Sequence, residues 1–408
     1  MGGVHVSFDT LAASVPVSDS KFESYYEGEV TLDALGISLP PAARVLEMAA
    51  PFPKLAVDVL AEVLTPEGYL LGDDRETPAL LRRWWQINDM DTTVRLAITE
   101  ALVQGSAYFV IGEGTSDAPR ITAHPRRGMS VRRDHMGRVV EAVRQYGPPD
   151  ERHAAHYQAG QTDYYRRDGG RWKLVDTIRH GLSAPPVVPM VNMLRLGDVD
   201  GRSEITRSIR AYTDEAVRTL LGQSVNRDFY AYPQRWVTGV SADEFSQPGW
   251  VLSMASVWAV DKDDDGDTPN VGSFPVNSPT PYSDQMRLLA QLTAGEAAVP
   301  ERYFGFITSN PPSGEALAAE ESRLVKRAER RQTSFGQGWL SVGFLAARAL
   351  DSSVDEAAFF GDVGLRWRDA STPTRAATAD AVTKLVGAGI LPADSRTVLE
   401  MLGLDDGQ

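Results

Sequence analysis

The sequence predicts an α+β protein, with long helices arranged around two separate β regions. Three observations carry that prediction. Apolar residues recur at helical spacing before residue 105 and again after residue 200. Short runs broken by Gly, Pro and Asp occupy residues 108–175, the pattern of an antiparallel meander. Two long helical stretches then bracket a second strand-rich segment.

Residues 1–40 are weakly patterned and read as an extended arm with a short helix. Pro40-Pro41 precedes a helical run from Ala42, and Leu55, Val59 and Val63 are spaced for another helix. Thr77-Pro78 starts a helix over Ala79 to Ile87, with Pro at its first position. Asp91 opens the next, with Val94, Ile98 and Leu102 on one face and Gly105 ending it. Strands are expected at 108–112, 120–124, 139–146, 153–158, 162–167 and 171–175, and Asp168-Gly169-Gly170 marks a hairpin. Pro185, Pro186 and Pro189 read as a stiff connector. A helix follows from Ser203 to about Asp228, with Ile205, Ile209, Tyr212, Ala216 and Leu220 on one face. A strand-rich insert spans Pro233 to Val276, and a second helix runs from Pro281 to Ala297. Ser313 caps a very long helix reaching Leu350, in which Gly336, Gly338 and Gly343 are expected kink points. Leu365 to Asp369 forms one more strand, and 374–403 a two-helix tail.

The chain has 408 residues, 42% hydrophobic and 24% charged, enough apolar material for a sizeable core. Cysteine is absent, which excludes disulfides, thiol catalysis, Fe–S clusters and Cys-type zinc sites. The longest nearly apolar run, Gly249 to Val260, is too short to span a membrane. Met1 to Asp9 lacks the features of a secretory signal, so synthesis in a cytosol is expected. The net charge of −14 argues against a protein that grips nucleic acid through a basic surface.

Motifs for catalysis are missing: there is no P-loop, dinucleotide fingerprint, His-Glu-x-x-His or Gly-x-Ser-x-Gly. No cofactor or metal is expected. His153 and His156 fall on opposite faces of a strand and read as ordinary surface histidines. Asp261 to Asp267 imitates the first half of a calcium loop, but its twelfth position is Gly272 and its eighth is Thr268. An acidic hairpin turn is the preferred reading there, with a weak cation site as the alternative.

Charge is uneven. Residues 120–180 hold 13 Lys/Arg against 7 Asp/Glu, whereas 241–302 hold 3 against 10. Arg126, Arg127, Arg132, Arg133, Arg166, Arg167 and Arg171 form a candidate basic surface for DNA or for an acidic protein partner. Asp243, Glu244, Asp261, Asp263, Asp264, Asp265, Asp267 and Asp284 form a candidate acidic one. On the long helix, Arg323, Lys326, Arg327, Arg330 and Arg331 alternate with Glu315, Glu320, Glu321 and Glu329. That pattern is expected to be a solvated face with intrahelical pairs, or else a contact surface.

The segment Ser313-Gly-Glu-Ala-Leu through Lys326-Arg-Ala-Glu-Arg-Arg-Gln, then Phe335-Gly, resembles the longest helix of portal proteins from long-tailed, siphophage-type double-stranded DNA bacteriophages. Gly201-Arg-Ser-Glu-Ile, Pro233-Gln-Arg-Trp-Val-Thr-Gly, Val299-Pro-Glu-Arg-Tyr-Phe-Gly with Asn310-Pro, and Leu365-Arg-Trp-Arg-Asp with Ala379 to Pro392 agree in order, over about residues 40–403.

The resemblance implies a ring-forming portal protomer: a wing at 1–200, stem helices at 201–228 and 281–299, and a clip at 229–280. A tunnel loop would occupy 300–313, with Thr308, Ser309, Asn310, Pro311, Pro312 and Ser313 toward DNA. The long kinked helix with a returning wing strand would span 314–373, and a small helical crown 374–408. It further implies a non-enzymatic ring of about twelve at one capsid vertex, assembled in the host cytoplasm, with no membrane partner. Its partners would be major capsid protein, scaffold, a transient packaging terminase, a head–tail adaptor and passing double-stranded DNA. The stem helices would bury Ile205, Ile209 and Leu220 against neighbouring subunits. The alternatives are another head–tail connector or tail component, or a hydrolase built on Glu320/Glu321 or Asp263 to Asp265.

Overall fold

The computed structural model describes residues 8–16, 20–29, 48–72, 79–115, 118–231, 235–238, 270–273, 278–305, 313–371 and 375–402. The chain divides into two compact units. One comprises Met1–Glu27, Pro53–Thr206 and Ala294–Gln408, and the other Gly28–Phe52 and Arg207–Thr293.

The first unit is layered. Strands β4 (Met129–Arg133), β5 (Val139–Tyr146), β6 (His153–Tyr157), β7 (Gln161–Asp168) and β8 (Arg171–Arg179) form an antiparallel five-stranded meander in chain order. Strand alternation gives this sheet two apolar faces. On one, Met129, Ala142, Ala155 and Tyr157 pack against Tyr108, Val110 and Val187. Those three belong to a second sheet ordered β3 (Ala118–Pro125), β2 (Ser106–Thr115), β9 (Val187–Val191). On the other, Val143 and Ala154 take Leu11, Ala12 and Val15 of the segment around α1 (Phe8–Ala13), and the Phe8 ring stacks 3.9 Å from Tyr165.

Helices α2 (Lys21–Glu27), α3 (Phe52–Glu62), α4 (Ala79–Ile87) and α5 (Met90–Gln104) complete the amino-terminal part. Gly105, at φ 94°, closes α5 with its N–H on the Ala101 carbonyl. It can do so because a glycine accepts the left-handed conformation.

Two findings revise the expected elements. Pro189 does not lie in a connector, since β9 pairs with β2 over Val187 to Val191. This is an edge strand, where a missing N–H is tolerated. The 37-residue helix α8 (Gly314–Leu350) also runs without interruption through its three glycines. They are places where other elements approach. A β-carbon at Gly343 would lie 2.9 Å from the Tyr69 ring, and Gly338 faces the backbone of β9. Tyr69 sits on β1 (Pro66–Leu71), which pairs with β12 (Val363–Trp367), and its hydroxyl donates to the Trp339 carbonyl at 2.8 Å. Trp339 is fully buried, with its ring 4.6 Å from Phe109 of β2. A short helix α9 (Glu356–Asp362) precedes β12, and α10 (Arg375–Gly387) and α11 (Arg396–Met401) form the tail.

The second unit contains α6 (Arg207–Ala231), most of α7 (Thr280–Ala297), and a two-stranded ribbon of β10 (Arg235–Thr238) and β11 (Asn270–Ser273) between them in sequence. Gly222 meets Tyr282, and Gln285 donates to Glu215 at 3.2 Å. The number rises on one helix as it falls on the other, so the pair is antiparallel. Ile205 and Ile209 are already fully buried within the single chain. They are therefore not available to a neighbouring subunit, and Leu220 is half-buried beside the buried Leu221.

Candidate functional site

The most elaborate polar construction lies on the first half of α8. Glu204, 1% exposed, stands two residues before the end of a first-unit segment. Its carboxylate accepts from Arg331 Nε at 2.9 Å and Nη2 at 2.6 Å, from Asn192 Nδ2 at 2.9 Å, and from Arg327 Nη2. Burial alone would raise its pKa, but Arg327 and Arg331 beside it hold the carboxyl below the usual carboxylate range. Arg327 and Arg331 are four residues apart and share one helix face. This corrects the expected solvated stripe, because these two arginines point inward to a residue 123 and 127 positions away. No local signal marks them, since Arg330 equally lacks an acidic residue three or four positions away and stays exposed.

The expected Glu320–Arg323 pairing is replaced as well. Arg302, in the 3₁₀ turn Glu301–Phe304, donates to Glu320 at 2.8 Å and also to Glu321. Both carboxylates are thus committed to Arg302, and the Tyr303 hydroxyl donates to Glu321 at 3.4 Å. Thr206 donates to Glu296 at 2.9 Å. Together these contacts secure first-unit residues beside both chain connections to the helical unit: Glu204 and Thr206 before α6, Glu296 and Arg302 at and after the end of α7.

Ser313 accepts from the Ala316 N–H at 3.2 Å, as a helix cap should. Thr308, Ser309, Asn310, Pro311 and Pro312 lie outside the described residues, as do Asp243, Glu244 and Asp261 to Asp267. Asp284 is exposed on α7, 4.0 Å from Arg287.

The seven basic residues do not form one surface of free cations. Arg126 donates to the carbonyls of Gln104 and Asp200, Arg132 to Glu141 at 2.7 Å, and Arg133 lies 3.7 Å from Asp200. Arg127 lies 3.8 Å from Glu23. Arg166, Arg167 and Arg171 are exposed on the β7–β8 hairpin, with Arg167 over the Trp172 ring.

His156 departs from the surface reading. It is 6% exposed, with Nδ1 2.8 Å from Gln158 and Nε2 3.7 Å from Glu141. Burial lowers its pKa against the pull of Glu141 and Asp163.

Among the described residues no group of three His, Asp or Glu could hold a metal ion, and no helix is long and apolar enough to cross a membrane.

A sequence model of the family described as "Phage portal protein, SPP1 Gp6-like" matches residues 20–406. The chain is 32% identical over 395 residues to a protein named "Portal protein" from Mycobacterium phage D29, covering 91% of this chain and 80% of that one. It is equally similar to the "Portal protein" of Mycobacterium phage L5, covering 91% and 79%. The fold resembles a chain in the neck of an empty gene transfer agent particle computed with C6 symmetry. That match has a TM-score of 0.54, 15% identity and 98% coverage of both chains. A chain in the native gene transfer agent virion scores 0.50 at 16% identity, covering 87% and 90%.

Proposed function

The chain belongs to the SPP1 Gp6-like family of phage portal proteins, and on that footing we propose that about twelve copies close into a ring at one capsid vertex. DNA enters and leaves through that ring. It also serves as a platform, first for the packaging terminase and later for a head–tail adaptor. Capsid and scaffold proteins meet its periphery, assembly takes place in the host cytoplasm, and the chain performs no catalysis.

The observation that carries this reading is the second unit: an antiparallel helix pair holding a β ribbon, joined to a layered α+β body. That arrangement suits a strut with a docking tip. We assign the stem to α6 and α7, the clip to the segment between them, the wing to the layered sheets, and the tunnel loop to residues 300–313. The Asn310-Pro-Pro-Ser-Gly segment supports the last assignment, since it disfavours helix and central strand.

The net charge of −14 per chain fits a conduit better than a clamp, because tight phosphate neutralisation would hold DNA in place. The acidic residues Asp243, Glu244, Asp261 to Asp267 and Asp284 would repel DNA weakly along the stem and clip, while Arg166, Arg167 and Arg171 face packaged DNA or an acidic capsid surface. Neutralising the acidic turn should change DNA packaging or retention. Unchanged packaging would remove that assignment.

Negative-stain images of the purified chain should show rings with an axial opening. Uniform small particles without an opening would overturn the reading.

A further inference from the structure

We infer that the segment Phe8–Val15, built around α1, is a strap released by protons: His156 beneath it stays neutral while the strap lies on the meander sheet, and acidification lifts the strap off.

Strand pairing fixes the ground under the strap. Val143, His156, Asp163 and Thr177 stand opposite one another across β5, β6, β7 and β8. Their side chains therefore share one face of the sheet. Leu11, Ala12 and Val15 are buried on that same face. The Phe8 ring lies 5.5 Å from the His156 ring and 6.0 Å from that of Trp172. Polar contacts also hold the strap. Gln145 Nε2 donates to the Ala12 carbonyl at 2.7 Å, the Gly128 N–H donates to the Pro16 carbonyl at 2.7 Å, and the Ser14 and Ser130 hydroxyls meet at 2.7 Å.

Hydrogen bonds decide where the imidazole carries its proton. Gln158 Nε2 donates to Asp163 Oδ2 at 3.2 Å, and only the amide nitrogen can donate to a carboxylate. The same nitrogen lies 2.8 Å from His156 Nδ1. Nδ1 is thus an acceptor, and the single ring proton sits on Nε2. A second proton can enter only at Nδ1, where it would point at an N–H.

The charged groups around the ring are already engaged. Arg132 of β4 donates to Glu141 of β5 at 2.7 Å. Asp163 of β7 also accepts from Gln161 and, at 2.7 Å, from the Thr177 hydroxyl of β8. Arg179 of β8 stands one cross-strand pair further on, opposite Gln161. On α1, Asp9 is exposed. Glu141 Oε2 is 3.7 Å from His156 Nε2, beyond hydrogen-bond reach. Glu141 and Asp163 pull toward the charged ring, but burial outweighs them.

Protonation at Nδ1 forces the Gln158 amide to turn and breaks its bond to Asp163. The imidazolium regains water only if Phe8 moves away. The lifted state therefore binds the proton more tightly than the docked one. Docking is full above the free histidine value of about 6.5 and weakens as the pH falls below it.

Hydrogen exchange of the full chain, read by mass spectrometry, tests this. Protection factors, which remove the intrinsic pH dependence of exchange, are compared at about pH 7.5 and about pH 5. Those of residues 8–15 should fall about tenfold or more at the lower pH, while those of β2 and β9 hold. In His156→Asn the amide oxygen accepts as Nδ1 does but cannot titrate, so the fall should vanish. His156→Gln, a longer neutral replacement, gives the same reading if the shorter side chain packs poorly. Phe8→Ala should leave the strap weakly protected at both pH values. Equal strap protection of the wild type at both pH values would overturn the inference. So would an equal fall in the folded neutral variants, unchanged protection in Phe8→Ala, or a fall shared by β2 and β9, which marks general acid unfolding.

Discussion

Glu204→Ala removes the carboxylate that neutralises a buried pair of arginines. Arg331 is 6% exposed and the Arg327 side chain 14% exposed, so neither can recover full hydration when the carboxylate is lost. Breaking one side of a buried ion pair costs about 3–5 kcal/mol. Four hydrogen bonds converge on Glu204, which places the substitution toward the upper end of that range. Glu204→Gln keeps the shape and the Asn192 contact but loses the charge, and should cost less. Replacing all three groups with apolar ones, Glu204→Leu/Arg327→Met/Arg331→Met, removes the charges together and should return stability to near wild type or above. Urea unfolding followed by tryptophan fluorescence reads these differences, with the buried Trp339 two turns along the same helix as a reporter. The pH dependence has a fixed sign. A carboxyl with a lowered folded pKa contributes stability above its unfolded value, and that contribution fades as pH falls through the folded value. A Glu204→Ala protein within about 1 kcal/mol of wild type, or a triple variant as damaged as the single one, would refute the clamp.

Three further outcomes are expected. Burial, reinforced by Glu23, raises the Glu100 pKa to about 7, so stability falls as pH rises from about 4.5 to 7. Glu100→Gln should flatten that part of the melting-temperature profile and stabilise the protein most above pH 7. Gly343→Ala should cost about 1–3 kcal/mol in denaturant titration, because its β-carbon meets the buried Tyr69 ring. Ala298 holds φ 52° at the end of α7, in a capping turn where the Val299 N–H reaches the Ala294 carbonyl. Ala298→Gly should therefore raise stability by about 1 kcal/mol by calorimetry.

Local signals in the sequence carried far where the structure is local. Ala79 to Ile87 and Val139 to Tyr146 have the bounds that their caps and alternation predict. The Ser313 cap and the 37-residue helix after it follow in the same way from one hydroxyl and a sustained period. Elements decided by pairing partners were harder to read. β9 contains a proline that only an edge position excuses. β4, Met129–Arg133, is rich in arginine, and its register comes from β5.

The site divides along the same line. Arg327 and Arg331 carry no mark in sequence that separates them from the solvated Arg323 and Arg330. Their acceptor arrives from Glu204, over a hundred residues away. Which leucines of α6 and α7 stay exposed is likewise a property of packing. The periodicity pointed to Ile205 and Ile209, which the chain covers with its own residues, and passed over Leu288 and Leu292.

A chain that closes into a ring of about twelve has a native mass in solution that nothing smaller can imitate. Twelve copies of 44.5 kDa should give a single species of about 0.53 MDa, with neighbouring whole-number multiples as the permitted variation in ring size. A stable monomer or dimer across the concentration range would rule out the ring.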